Sequence, residues 1–363
     1  MQIRPLFFYR FLFITLSVLL VQNSDGQLRP AAADSLLHFI KSNKERSSVY
    51  MTRNDTIIAY LNESKLMPLA STVKILIAIE FAKQAGDGLI DKNGYVLLDE
   101  LDKYYLPGTD GDAHPNWIEY LKKNGLIKDE SVKLIDVARG MIMFSSNANS
   151  EYLLDLLGNN NVKSNIGMFG LKNHTEIYEL PASLLLYQNP KKMAEEKILK
   201  AISKMNSAQY IKYISDLHVQ LKHNKTFKAY FRPQDLTLNM QKLWSSRLPA
   251  STTKDYVHLG NILNNRRFLN DSAYKVIEDV LEFAMENDAF KKVFKHYGVK
   301  GGSTGFVLTH FIYLTSKTNN KMEIAIFFND LTPAEEKMLE GLLDPFEAQV
   351  IFDGAFRKQL NFQ

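Results

Sequence analysis

The chain has 363 residues, 45% of them apolar, with a formal charge of +4 and no cysteine. That length buries a sizeable core, in one large domain or two smaller ones. Acids and bases are mixed along the chain without a basic stripe, which argues against nucleic acid or an anionic membrane as partner. The missing cysteine excludes disulfides, thiolate metal sites and a lipid-modified N-terminal cysteine.

The first 26 residues read as a secretory signal. Arg4 and Arg10 precede the apolar run "FLFITLSVLLV", and Ser24 and Gly26 are small residues placed for cleavage before Gln27. The run falls well short of the roughly 20 residues that span a bilayer, so the mature chain is expected to leave the membrane. Next, "SLLHFIKSNKE" has helical period, and "SSVYMTRNDTIIAYLN" holds two β-rich runs about the turn Arg53-Asn54-Asp55.

From Ser71 to about Lys295 the apolar spacing is mostly helical, ending in "YKVIEDVLEFAMENDAFKKVFKHY". After "GVKGGSTG" come two β runs, "FVLTHFIYLTS" and "KMEIAIFFND", and then a final helix, "TPAEEKMLEGLLDPFEAQVIFDGAF". Strands at both ends with helices between predict an α+β fold. An antiparallel sheet built from both termini (27–70 and 256–363) is flanked by helices and joined to a mainly helical part (71–255). Residues 189–246 read as an insertion of charged helices and loop, and "YYLPGTDGDAHPNW" as a long loop with Tyr105 at a cleft entrance. The histidines His114, His174 and His310 show no metal-ligand spacing, and no cofactor is implied.

One short pattern carries chemistry. In "PLASTVKILIAIEFAKQ", Ser71 stands at the mouth of an apolar helix with Lys74 three places on. A serine there meets free backbone N–H groups and the positive end of the helix dipole, and Lys74 shares its face. Ser71 is either a helix cap or a nucleophile activated by a desolvated lysine. The spacing alone decides nothing, because Ser251 to Lys254 and Ser272 to Lys275 repeat it at other helix starts. In the first of these, Thr252 and Asp255 fit a capping box.

Two further triplets follow in order: Ser145-Ser146-Asn147, between two helical stretches, and Lys300-Gly301-Gly302, leading into a strand. With S-x-x-K, S-x-N and K-x-G in this sequence, the chain resembles the penicillin-recognising serine hydrolases from about Ser47 to the C-terminus, and most of all the class A β-lactamases. The resemblance implies a DD-peptidase/β-lactamase-like fold, a bacterial periplasmic monomer and a small β-lactam or peptidoglycan-like peptide as substrate. It implies that Ser71 is acylated, that Lys74 is its base, and that Ser145 passes a proton to the leaving nitrogen. Asn147 would hold the substrate's amide side chain and Lys300 its carboxylate. Gly302 would leave room for a substrate along the strand, and the N–H groups of Ser71 and Ser303 would form the oxyanion hole.

The chain departs from the family pattern at Ser146, where aspartate is usual, and at Gly301, where a hydroxyl residue is usual; Ser303 and Thr304 are the nearest replacements. Class A enzymes also carry a glutamate, usually in E-P-x-x-N, that activates the deacylating water. The corresponding stretch here, "LKNHTEIYELPASLLLY", offers Glu179 first and Glu176 next, without the E-P pair. Three functions follow from the resemblance. The first is β-lactam hydrolysis through a Ser71 acyl-enzyme. The second is a D-Ala-D-Ala peptidase, transpeptidase or esterase with slow deacylation, and the third is a catalytically weak binding protein.

Overall fold

The structure is a computed structural model in which residues 28–188, 193–229 and 231–362 are described. The export signal expected over 1–26 lies outside these residues. No described helix is long and apolar enough to cross a membrane.

A five-stranded antiparallel sheet organises the chain. Strands β1 (Ser47–Arg53) and β2 (Thr56–Leu61) form the N-terminal hairpin, with Asn54 and Asp55 at positive φ in its turn. Strands β3 (Phe294–Thr304), β4 (Val307–Ser316) and β5 (Lys321–Asn329) come from the other end, and the order is β2-β1-β5-β4-β3. Strand β1 joins the two halves by pairing with β5, Tyr50 opposite Ala325. Strand β3 is left as an edge.

Both faces of the sheet are covered, which explains why β4 and β5 are buried almost throughout and lack polar alternation. Ile324, Ile326 and Phe328 pack on one side with helix α1 (Leu28–Ser42) and the C-terminal helix α10 (Pro333–Phe352). Thr332 starts that last helix in a capping box with Glu335. On the other side Ala325 and Phe327 meet the helical part, where the Tyr256 ring packs edge-on to Phe311 and Phe327 at 5.6 and 5.5 Å.

The helices between the two halves of the sheet include α2 (Lys74–Gly86), α3 (Ala113–Lys123), α4 (Leu134–Met143), α5 (Asn147–Leu157), α6 (Leu180–Leu184), α7 (Ser207–His223), α8 (Thr253–Asn264) and α9 (Asp271–Leu281). Thr252 caps α8 through the Asp255 amide, but the Asp255 carboxylate accepts from Asn173 N instead of returning the bond, so the expected capping box is half formed. Asn270 caps α9 in the same way. The two additional S-x-x-K matches are thus structural helix starts.

One long helical reading is corrected. The segment 274–297 breaks after Leu281 into a short 3-10 turn and a six-residue helix, and Phe294–Tyr297 already belongs to β3. Phe294, Tyr297 and Phe290 cluster under the edge strand, so apolar spacing compatible with a helix serves a strand here.

Candidate active site

Ser71 lies in a 3-10 turn, Ala70–Val73, that runs directly into α2, whose first residue is Lys74. Ala70 has φ +44°, a left-handed conformation that suits a small residue and turns the chain sharply into the helix. Strand β3 lies hard against this turn: a Cβ added at Gly302 would stand 2.5 Å from the Ser71 amide nitrogen and 2.8 Å from Leu69 O. Only glycine fits. Thr309 on β4 bolts the pieces together, its Oγ1 lying 2.7 Å from Thr72 Oγ1, 2.8 Å from Leu69 O and 3.1 Å from Gly302 O. Gly302→Ala is therefore expected to push the strand off Ser71, and a displacement of about 1 Å at a reacting centre lowers its rate about 100-fold. The labelling rate of Ser71 by a penicillin checks this, with melting curves alongside to read how much stability the clash costs.

Lys74 is fully buried. Its Nζ donates to Asn147 Oδ1 at 2.8 Å and to Ser145 O at 2.5 Å, with Ser145 Oγ at 3.4 Å. Burial pulls its ammonium down to about 7, opposed by the charges of Asp110 and Glu151. Ser145 takes φ +67° and presents its hydroxyl between two lysines, since Lys300 Nζ reaches Ser145 Oγ at 3.0 Å and also donates to Gly301 O at 2.7 Å. Residues from the start of α2, the α4–α5 junction and the edge strand thus converge on one point. Ser146 turns inward, caps α5 through the Asn149 amide, and contacts His114 Nδ1 at 2.9 Å. It supports the loop from within.

A cleft of about 610 Å³ opens over this cluster, with Ser71, Ser145, Asn147, Lys300, Gly302 and Ser303 in its wall. The 189–246 stretch reaches it too: Trp244 and Ser245 are in the wall, Trp244 Nε1 donates to Ser183 Oγ at 2.7 Å, and Ser245 Oγ donates to Thr304 Oγ1 at 2.8 Å.

Two expected residues are placed elsewhere. Tyr105 packs against His114, ring centroids 4.8 Å apart, and is not in the cleft wall, where Tyr120, Phe144, Trp244 and Phe283 supply the aromatic surface. Glu179 is buried away from the cleft, with Asn159 Nδ2 donating to its Oε1 at 2.9 Å. Its neighbour Leu180 faces the cleft, and Glu176 pairs with Lys163 at 2.5 Å. The offset is one residue. Asp110, which sequence reasoning missed, is in the wall beside Asn147; its Oδ2 accepts from His114 N at 3.2 Å, and burial pushes its carboxyl up against the pull of Lys74. Among the described residues no group of three or more acids and histidines is placed to hold a metal ion.

The family model for the "Beta-lactamase enzyme family" matches residues 31–338. The chain belongs to this β-lactamase family. Among curated proteins none matches by sequence. Solved structures share the fold. A β-lactamase from Chitinophaga pinensis is 15% identical with a TM-score of 0.54, over 89% of this chain and 99% of that one. The TLA-3 extended-spectrum β-lactamase is 15% identical with a TM-score of 0.52, over 88% and 99%. PBP-A is 12% identical with a TM-score of 0.52, over 88% and 96%. As a β-lactamase-family protein, this chain has a β-lactamase-like, penicillin-recognising hydrolase fold.

Proposed function

We propose that the protein is an exported serine acyltransferase-hydrolase that is acylated at Ser71 by β-lactams or D-Ala-D-Ala-like peptides and releases the acyl group slowly. The observation that carries this reading is Leu180, an apolar side chain in the cleft wall, next to a Glu179 that faces away from it.

In the acylation step, Ser71 Oγ attacks the substrate carbonyl as its proton passes to neutral Lys74. The Ser71 and Ser303 N–H groups take the oxyanion. Ser145, hydrogen-bonded to Lys300, passes a proton to the leaving nitrogen as the C–N bond breaks. Lys300 and the Thr304 hydroxyl attract the substrate carboxylate, and Asn147 orients the amide side chain. Hydrolysis of the resulting ester needs a water with a base beside it. The side chain facing the cleft from the loop that would supply one is a leucine. This favours the penicillin-binding peptidase or esterase reading over efficient β-lactam hydrolysis.

The test is to mix the purified protein with a chromogenic cephalosporin and a fluorescent penicillin, following colour and intact mass. One covalent adduct, long-lived in the wild type and absent in Ser71→Ala, is expected. Sustained Ser71-dependent turnover would restore the hydrolytic reading and require another base. No adduct with either compound would leave the site to binding alone.

A further inference from the structure

The inserted helices place a charged cluster directly behind the lysine. Helix α5 begins at Asn147, which holds Lys74, and one turn later on the same face it carries Glu151, completely buried. Glu151 Oε2 meets His218 Nδ1 on α7 at 2.9 Å, and His218 Nε2 meets Asp155 Oδ1 at 3.0 Å. Asp155 Oδ2 in turn accepts from Tyr104 OH at 2.8 Å and from Lys222. With a carboxylate on each ring nitrogen, His218 is a cation. Burial works against that charge, but the bonds to Asp155 and Glu151 prevail and hold it up at about 10.

The second oxygen of Glu151, Oε1, is buried with no hydrogen-bond partner. A buried carboxylate half satisfied is expensive, and His218 together with Asp155 and Lys222 would fasten α7 to α5 without it. Burial pushes the Glu151 carboxyl up to about 7 while the bond to His218 pulls it back, so as Glu151 ionises near neutral pH it adds a negative charge beside Lys74. The charged or titratable groups facing Glu151 are Lys74 from α2, His218 from α7, Glu179 from the loop before α6, Tyr104 from the segment before α3 and Asp155 on its own helix; Asp110 also acts on Lys74.

We propose that Glu151, whose charged form His218 of α7 favours, is a positioning residue that tunes the charge of Lys74 during acylation. This rests on the acyl-enzyme reading of Ser71. It also gives the 189–246 stretch a function at the site: α7 supplies the cation that favours the charged form of a carboxylate behind the base.

The sign follows from charge. Glu151 favours the ammonium form of Lys74, so removing it makes Lys74 lose its proton at lower pH. In Glu151→Gln the acid limb of the Ser71 labelling rate is expected to move acidward by about one pH unit, and Glu151→Asp restores it in part. His218→Gln, which removes the cation that favours the charged form of Glu151, moves the limb the same way. The Lys74 midpoint is read independently by NMR titration of the full chain carrying isotope-labelled lysine, with Lys74→Met assigning the signal. Folded Glu151→Gln and His218→Gln proteins whose Lys74 midpoint coincides with the wild type would overturn the proposal. Failure of any penicillin to label Ser71 would instead remove the acyl-enzyme reading, while the NMR midpoint still decides the role of Glu151.

Discussion

Lys74→Met is expected to slow acylation of Ser71 by about 10²- to 10⁴-fold, the usual range for loss of a positioned general base. The methionine fills similar space, but nothing then accepts the serine proton, and Ser145 O and Asn147 Oδ1 lose their donor. Wild-type acylation should rise with pH through about 7, where the buried ammonium gives up its proton. The variant should lack that limb. Stability offers a second check. The folded-state value of Lys74 lies below its ordinary 10.5, so the unfolded chain binds more protons between about 7 and 10.5, and this group makes stability rise with pH there. His218 does the reverse: held up at about 10 from 6.5, its contribution is full below 6.5 and is lost as pH rises through about 10. The two oppose one another in the wild type. Removing Lys74 exposes the His218 slope, so Lys74→Met should lose stability relative to wild type as pH rises from 7 to 10, read from urea midpoints. A variant that acylates at the wild-type rate would remove Lys74 from the base role.

How much of this was legible in the sequence depended on how local each feature is. Ser71 with Lys74, Ser145 with Asn147, and Lys300 with Gly302 each sit within a few residues, where a helix start, a loop or a strand edge fixes the relative placement. Their order along the chain supplied the rest. The β1–β2 hairpin and the apolar runs of β4 and β5 were readable for the same reason. The part that escaped has no local period. Whether Glu179 or Leu180 faces the cleft turns on the path of an irregular loop, where a shift of one residue reverses the outcome. Asp110, Thr309 and the Glu151–His218 pair act through partners 37 to 240 residues away in the chain. Tyr105 looked like an entrance residue because its loop is long, but His114 offers its ring a closer surface. Phe294–Tyr297 read as the end of a helix because aromatic residues stacked under an edge strand can mimic helical spacing over one turn.

Leu180→Glu is expected to convert long-lived labelling into turnover, raising deacylation by about 10²- to 10⁴-fold. The reasoning is positional. Leu180 faces the cleft, at the first position of α6 and just before Pro181, so a glutamate there can reach a water beside the Ser71 ester. Glu179 lies outside the cleft wall with its carboxylate bonded to Asn159, so Glu179→Gln should leave the labelled lifetime unchanged. The new carboxyl would enter a nearly closed wall with Glu179 beside it in the chain, and both desolvation and like charge push such a group up. Turnover in Leu180→Glu should therefore climb with pH as the group ionises, starting above the ordinary carboxylate range. Exchanging an apolar contact for a charge should also lower stability by about 1–3 kcal/mol. Adduct lifetimes by intact mass across pH, with melting curves alongside, measure both effects. If a folded Leu180→Glu protein holds its acyl group as long as the wild type does, the missing base is not what slows release. The barrier would then lie in how the cleft admits water, and Trp244 and Ser245, which line the same cleft as the serine, become the residues to change next.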